Sequence, residues 1–185
     1  MTAPFFTEQE ARTRTTFMGL MWALSAPGQP QSLIDVQSTP YHPYLLIAEA
    51  LLDLETSYYT DVPQLAPLLD RTTARAESAD RAEYLFLPNV TDLTPIRQAS
   101  IGDMLFPDRA ATLILGCQFG TGTRLGLSGP GIRGQISISV GGLPAEFWAL
   151  RLQMRHYPLV WDILLVSTEN QVIGLPRSTA LEIRE

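Results

Sequence analysis

The sequence contains no lysine: all 13 of its basic residues are arginine, set against 19 aspartates and glutamates. Without an ε-amine there is no P-loop lysine to hold phosphates, no Schiff base to pyridoxal phosphate or a carbonyl substrate, and no lysine general base. Cysteine is almost as scarce. Cys117 stands alone, so no internal disulfide can form, and with only two histidines a structural zinc site would need carboxylate help. The net charge of −6 and pI near 4.9 argue against nucleic-acid binding, which depends on basic surface to neutralise phosphates. No apolar run reaches the ~20 residues of a membrane-spanning helix. Internal repeats and low-complexity tracts are also missing.

What is present is enough for one ordinary domain. At 185 residues and 45% hydrophobic side chains, the chain can bury roughly 70% of its unfolded surface without a disulfide or metal staple. A single domain over 1–185 is expected. Residues 12–26 superficially imitate a signal sequence, two arginines followed by an apolar stretch. Glu8 and Glu10 cancel those charges, however, and the segment reads better as a helix. Thr7 and Glu10 have capping-box spacing, and Phe17, Leu20, Met21 and Leu24 fall at i, i+3, i+4, i+7 before Pro27-Gly28 stops the pattern.

Beyond it, strands are expected over 31–36, 57–60 and 82–87, and helices over 44–54, 64–72 and 95–100, with Pro43 opening the first of these helices. The apolar runs 111–115 and 124–128 predict two further strands. Residues 135–140 alternate with period two, as a half-buried antiparallel strand should. A helix over 144–155 with Phe147, Leu150 and Met154 inward, and strands over 161–166, 171–175 and 180–183, complete the pattern. The expected fold class is α/β, a mixed sheet flanked by helices in three layers.

Three constellations could carry chemistry. Gly129-Pro130-Gly131-Ile132-Arg133-Gly134 matches G-x-G-x-x-G literally, but a strand follows it where a dinucleotide site needs a helix, so a tight turn is the better reading. Ser128, His156 and Asp162 could form a hydrolase triad on paper, although the nucleophile-elbow pattern around Ser128 is incomplete. Asp162, heading an apolar strand, is expected either to cap a turn or to pair with Arg177. Arg177, Ser178 and Thr179 bring a cation and two hydroxyls after Pro176 and could hold an anion, as could Arg124 with the glycine turn at Gly129 and Gly131. These seven residues, Arg124, Gly129, Gly131, Asp162, Arg177, Ser178 and Thr179, are the candidate anion or interface site; no complete catalytic or metal constellation is present.

The ordered set of these segments resembles the H subunit family of the bacterial carbon-phosphorus lyase system (PhnH). Phe17-x-x-Leu20-x-x-Ala23-Leu24-Ser25-x-Pro27-Gly28 is similar to its opening motif, and Leu51-Leu52-Asp53-x-Glu55-Thr56 to its second helix and following turn. Residues 111–115 correspond to its central strand and 127–132 to its glycine turn. Tyr157-Pro158-x-x-x-Asp162-x-x-Leu165 and Leu175-Pro176-Arg177-Ser178-Thr179-x-x-Glu182 resemble its C-terminal signature. The chain departs from the family at Met18, Gly19 and Trp22, where basic residues are usual, and at Val160 and Trp161, where a smaller pair is common.

The resemblance implies a homodimeric cytoplasmic protein that assembles with the G, I and J subunits of the system. It implies a fold similar to the large domain of pyridoxal-phosphate-dependent transferases, without the cofactor. The associated step moves the ribose triphosphate of ATP onto methylphosphonate with release of adenine, the I subunit being the catalytic component. The implied role here is therefore an accessory subunit, not catalytic by itself, with no nucleic-acid or membrane partner. A stand-alone serine hydrolase and a phosphate- or nucleotide-binding regulatory module remain the alternatives.

Overall fold

The computed structural model describes residues 7–34 and 39–184. Helix α1, Glu8–Ser25, begins with the expected capping box: Thr7 Oγ1 accepts from the Glu10 amide, and Glu10 Oε2 accepts from the Thr7 amide at 2.7 Å. The Thr7 amide and the Thr7 hydroxyl, which donates to the same Oε2 at 2.9 Å, hold the Glu10 carboxyl below the usual carboxylate range. Its buried face keeps only half of the expected stripe, Leu20 buried and Leu24 partly so against the core. Thr16, Leu20 and Ala23 point inward, while Phe17 and Met21 are exposed. Small residues win because the helix lies almost on backbone: a Cβ at Gly174 would fall 2.5 Å from the Ala23 carbonyl oxygen.

The other elements follow in alternation: β1 (Gln31–Ser32), α2 (His42–Leu51), β2 (Ser57–Tyr59), α3 (Ala66–Leu69), β3 (Arg75–Ala76), β4 (Tyr84–Leu87), α4 (Thr94–Gln98), β5 (Thr112–Ser128), β6 (Ile136–Gly141), α5 (Glu146–Met154), β7 (Asp162–Ser167), β8 (Gln171–Leu175) and β9 (Ala180–Arg184). Of the strand expected over 31–36, residues 35 and 36 lie outside the described residues. The two-residue β3 was not anticipated. A helix was expected over 64–72; residues 66–69 are α-helical and 70–72 tighten into a 3-10 turn.

The sheet runs β1-β8-β7-β5-β4-β2-β3, parallel from β7 through β5, β4 and β2 to β3 and antiparallel at the β7–β8–β1 end. Two strands were expected at 111–115 and 124–128; they are one strand of 17 residues. The glycines between them suggest a break, yet Gly120 and Gly122 take positive φ inside a bulge at which Phe119 and Thr123 both face Val140. Pairing is exchanged across that bulge. The first half of β5 sits between β4 and β7, and the second half sits between β6 and β9, both antiparallel to it.

Alternation along β5 divides the core. Leu113, Leu115 and Cys117 pack with α4 and α5 residues such as Ile96, Phe147 and Trp148, whereas Ile114 packs with α1, α2 and α3 residues such as Leu20, Ile47 and Leu69. The protein is thus a mixed sheet with helices on both faces. Among the described residues no helix is long and apolar enough to cross a membrane.

Candidate functional site

The parallel strands share a register that sets up two edges. Tyr84, Thr112 and Asp162 lie level at the N-terminal edge, while Gly116–Cys117 lie level with Val166–Ser167 at the C-terminal edge.

At the N-terminal edge Asp162 and Arg177 form one tight pair. Asp162 Oδ1 accepts from the Arg177 backbone amide at 2.7 Å, and the carboxylate accepts from Nε at 3.1 and 3.3 Å and from Nη2 at 2.5 Å. Nη1 donates to the Pro107 carbonyl. All three guanidinium nitrogens therefore have acceptors within the chain, and an anion arriving at Arg177 would compete with Asp162 for them. Both functions considered for Asp162, turn cap and ion-pair partner, are carried by one carboxylate. Arg177 also lines an open cleft of about 470 Å³ in which Arg81 and Arg109 face Asp80, Glu83 and Asp108, so no single charge dominates it.

The glycine turn lies elsewhere and is packed from two sides. A Cβ on Gly131 would fall 2.2 Å from the Ser25 carbonyl oxygen and 2.8 Å from Pro27, and one on Gly129 would fall 3.0 Å from the Ser178 carbonyl oxygen. Three of the motifs that carry the resemblance thus meet: the end of α1, the glycine turn and the β8–β9 turn. Thr179 is buried beneath this junction, its amide donating to the Pro176 carbonyl at 2.9 Å. Arg124 is apart from it, exposed on β5 opposite Ser139 and Arg184.

The paper triad is not assembled. Ser128 pairs with Ala180 in the β5–β9 ladder, Asp162 is committed to Arg177, and His156 is exposed with Nδ1 3.4 Å from the Met154 carbonyl. No hydrogen bond among the described residues links the three. Nor do the described residues contain a group of three or more His, Cys, Asp or Glu able to hold a metal ion.

Sequence reasoning missed Arg151. It sits in the last turn of α5 and is fully buried, with Nη2 donating to the Pro176 carbonyl at 3.3 Å and Nε and Nη1 without hydrogen-bond partners. Burial, and then repulsion from Arg155, push its guanidinium down to about 10, with Asp162 opposing the shift. A clue existed in the helical spacing, since Arg151 stands four residues after Phe147 on the inward face.

At the opposite edge a cavity of about 510 Å³ opens between the ends of β4 and β7, the Gly116–Cys117 segment of β5 and the first turn of α2. Gly116 forms part of its floor, and a Cβ there would lie 1.9 Å from the Pro88 carbonyl oxygen and 2.6 Å from Tyr44 Oη. Cys117 beside it is a poor nucleophile, because burial raises its thiol to about 12.

Against known proteins, the family described as bacterial phosphonate metabolism protein (PhnH) matches residues 4–182. The chain is 30% identical to a protein of Stutzerimonas stutzeri named C-P lyase subunit HtxG, covering 95% of this chain and 89% of that one. It is 27% identical to the alpha-D-ribose 1-methylphosphonate 5-triphosphate synthase subunit PhnH of Rhizobium meliloti (strain 1021), covering 96% and 94%.

Proposed function

The chain belongs to the PhnH family of bacterial phosphonate metabolism proteins, and from that premise we propose that it is an accessory, non-catalytic subunit of the C-P lyase machinery. Its task is to enable formation of alpha-D-ribose 1-methylphosphonate 5-triphosphate from ATP and methylphosphonate. The observation that carries this reading is the family match over residues 4–182, together with a relative over nearly its full length that is named for that synthase.

Two features of the chain support it. The residues that carry the family motifs are spent on packing the α1, glycine-turn and β8–β9 junction rather than on a reactive group. Meanwhile α1 turns Phe17, Met18, Met21 and Trp22 outward, an apolar face of the kind that protein partners cover. In this reading the chain is one domain, a homodimer, and joins the G, I and J subunits in the cytoplasm, with neither nucleic acid nor membrane as partner. Its fold is akin to the large domain of pyridoxal-phosphate-dependent transferases, and it works without that cofactor because it has no lysine to form the Schiff base.

The test is genetic. Deleting the gene in its own host abolishes growth on methylphosphonate as sole phosphorus source while leaving growth on phosphate intact, and the wild-type gene restores it. Unimpaired growth of the deletion strain on methylphosphonate contradicts the reading.

A further inference from the structure

We propose that the cavity at the C-terminal edge of the sheet is a binding site for an uncharged, flat, nitrogen-rich ring of the nucleobase kind. It sits outside the carboxyl ends of β4 and β7 and beside Gly116–Cys117, where the parallel pairing of β5 stops, the kind of edge at which open α/β sheets bind ligands, and beside the point at which the sheet changes from parallel to antiparallel. Its volume, about 510 Å³, lies within the ~300–1,000 Å³ typical of small-molecule sites.

The cavity is built by close contacts. Its floor exists because Gly116 lets the Pro88 carbonyl and Tyr44 hydroxyl approach the β5 backbone. One wall is the first turn of α2, with Tyr41 partly buried and Tyr44 buried. The other is the β7–β8 turn, which Ser167 fixes by accepting through Oγ from the Glu169 and Gln171 amides at 3.2 Å each. That turn holds Thr168 and Asn170 at the cavity, with Asn170 in a left-handed conformation (φ 58°).

Charge decides the ligand class. Among the described residues, no Asp, Glu, Arg or His lines the cavity, and the Cys117 thiol, raised to about 12, stays neutral. A phosphate or phosphonate would enter without a charged side chain to pair with, and the N-terminal dipole of α2, whose first turn loses one amide donor to Pro43, is too weak to offset its desolvation cost. Tyrosine and proline faces suit a flat ring, and the side-chain amides of Asn89 and Asn170 offer paired donors and acceptors of the type that read base edges. This inference stands on the cavity alone and is independent of the subunit role.

Titrating the full-length chain with adenosine, guanosine and uridine by calorimetry, and by ligand-observed NMR, tests it. At least one nucleoside should bind saturably with a Kd of about 1 mM or tighter. Tyr41→Ala should weaken that binding about tenfold through lost stacking. Asn89→Ala, at an exposed position where surface substitutions cost little stability, should weaken it measurably as well. Inorganic phosphate should not compete. Absence of saturable binding by all three nucleosides, binding unchanged in Asn89→Ala and Tyr41→Ala, or displacement by inorganic phosphate would each overturn the assignment.

Discussion

Gly131 is pressed against the last turn of α1: a side chain of even one carbon would place its Cβ 2.2 Å from the Ser25 carbonyl oxygen. Its backbone also holds φ +82°, a conformation that L-residues rarely adopt. The glycine turn is therefore a packing device that locks α1 onto the second half of β5.

Gly131→Ala should accordingly destabilise the fold by about 2–3 kcal/mol, the cost of the left-handed backbone plus overpacking against α1. Gly134→Ala is the control, since Gly134 has φ +70° but open space around its Cβ. It should cost only about 1 kcal/mol. Denaturant melts of both variants check this, and equal losses would show that the contact with Ser25 contributes nothing.

Removing the Arg177 side chain leaves the Asp162 carboxylate largely buried with only a backbone amide as partner. Arg177→Ala should cost about 3 kcal/mol. Arg177→Lys should recover little of it, because an ammonium cannot reach both carboxylate oxygens and the Pro107 carbonyl at once. Thermal melts of the two variants decide the matter.

Arg151 runs the other way. It is a buried cation with one hydrogen bond and two nitrogens without partners, so Arg151→Met should stabilise the protein by about 1–2 kcal/mol at neutral pH. The pH dependence fixes the sign. The folded chain releases this proton near 10 and the unfolded chain only at the higher ordinary arginine value, so the penalty is full below about 10 and fades as pH rises from there toward that value. The advantage of Arg151→Met should shrink over that interval. A loss of stability at pH 7, read by denaturant titration, would contradict the account.

Cys117 is buried and its thiol is raised from 9.0 to about 12, which lowers the thiolate fraction at pH 8 by roughly three orders of magnitude. Native protein should react with an aromatic disulfide reagent far more slowly than the denatured chain. Reaction at the rate of a free thiol would show that the floor of the C-terminal-edge cavity opens.

Much of this architecture was legible in the sequence because local signals and burial agreed. The capping box at Thr7 and Glu10 and the alternating β6 strand combined a local pattern with a one-sided environment, and β8 a short apolar run with burial on both faces. The Asp162–Arg177 pair was legible for a similar reason, since a carboxylate heading an apolar strand needs a cation close by. Where tertiary contact overrode local pattern, the reading failed. Gly116, Gly120 and Gly122 look like a loop but serve a bulge and a close approach inside β5. Phe17 and Met21 have the spacing of a buried stripe, yet α1 turns Thr16, Leu20 and Ala23 inward, and Ala23 lies almost on the backbone of β8 at Gly174. The cavity walls come from Tyr41, Asn89 and Asn170, which lie far apart in the chain and share no local motif.

The subunit role is tested most directly by reconstitution. Purified G, I and J subunits are incubated with ATP and methylphosphonate, with and without this chain, while adenine release and alpha-D-ribose 1-methylphosphonate 5-triphosphate are followed by chromatography and phosphorus NMR. The account predicts product only when this chain is added to the other subunits, and none from this chain alone. Adenine release by the isolated protein, or full product formation in its absence, would contradict it.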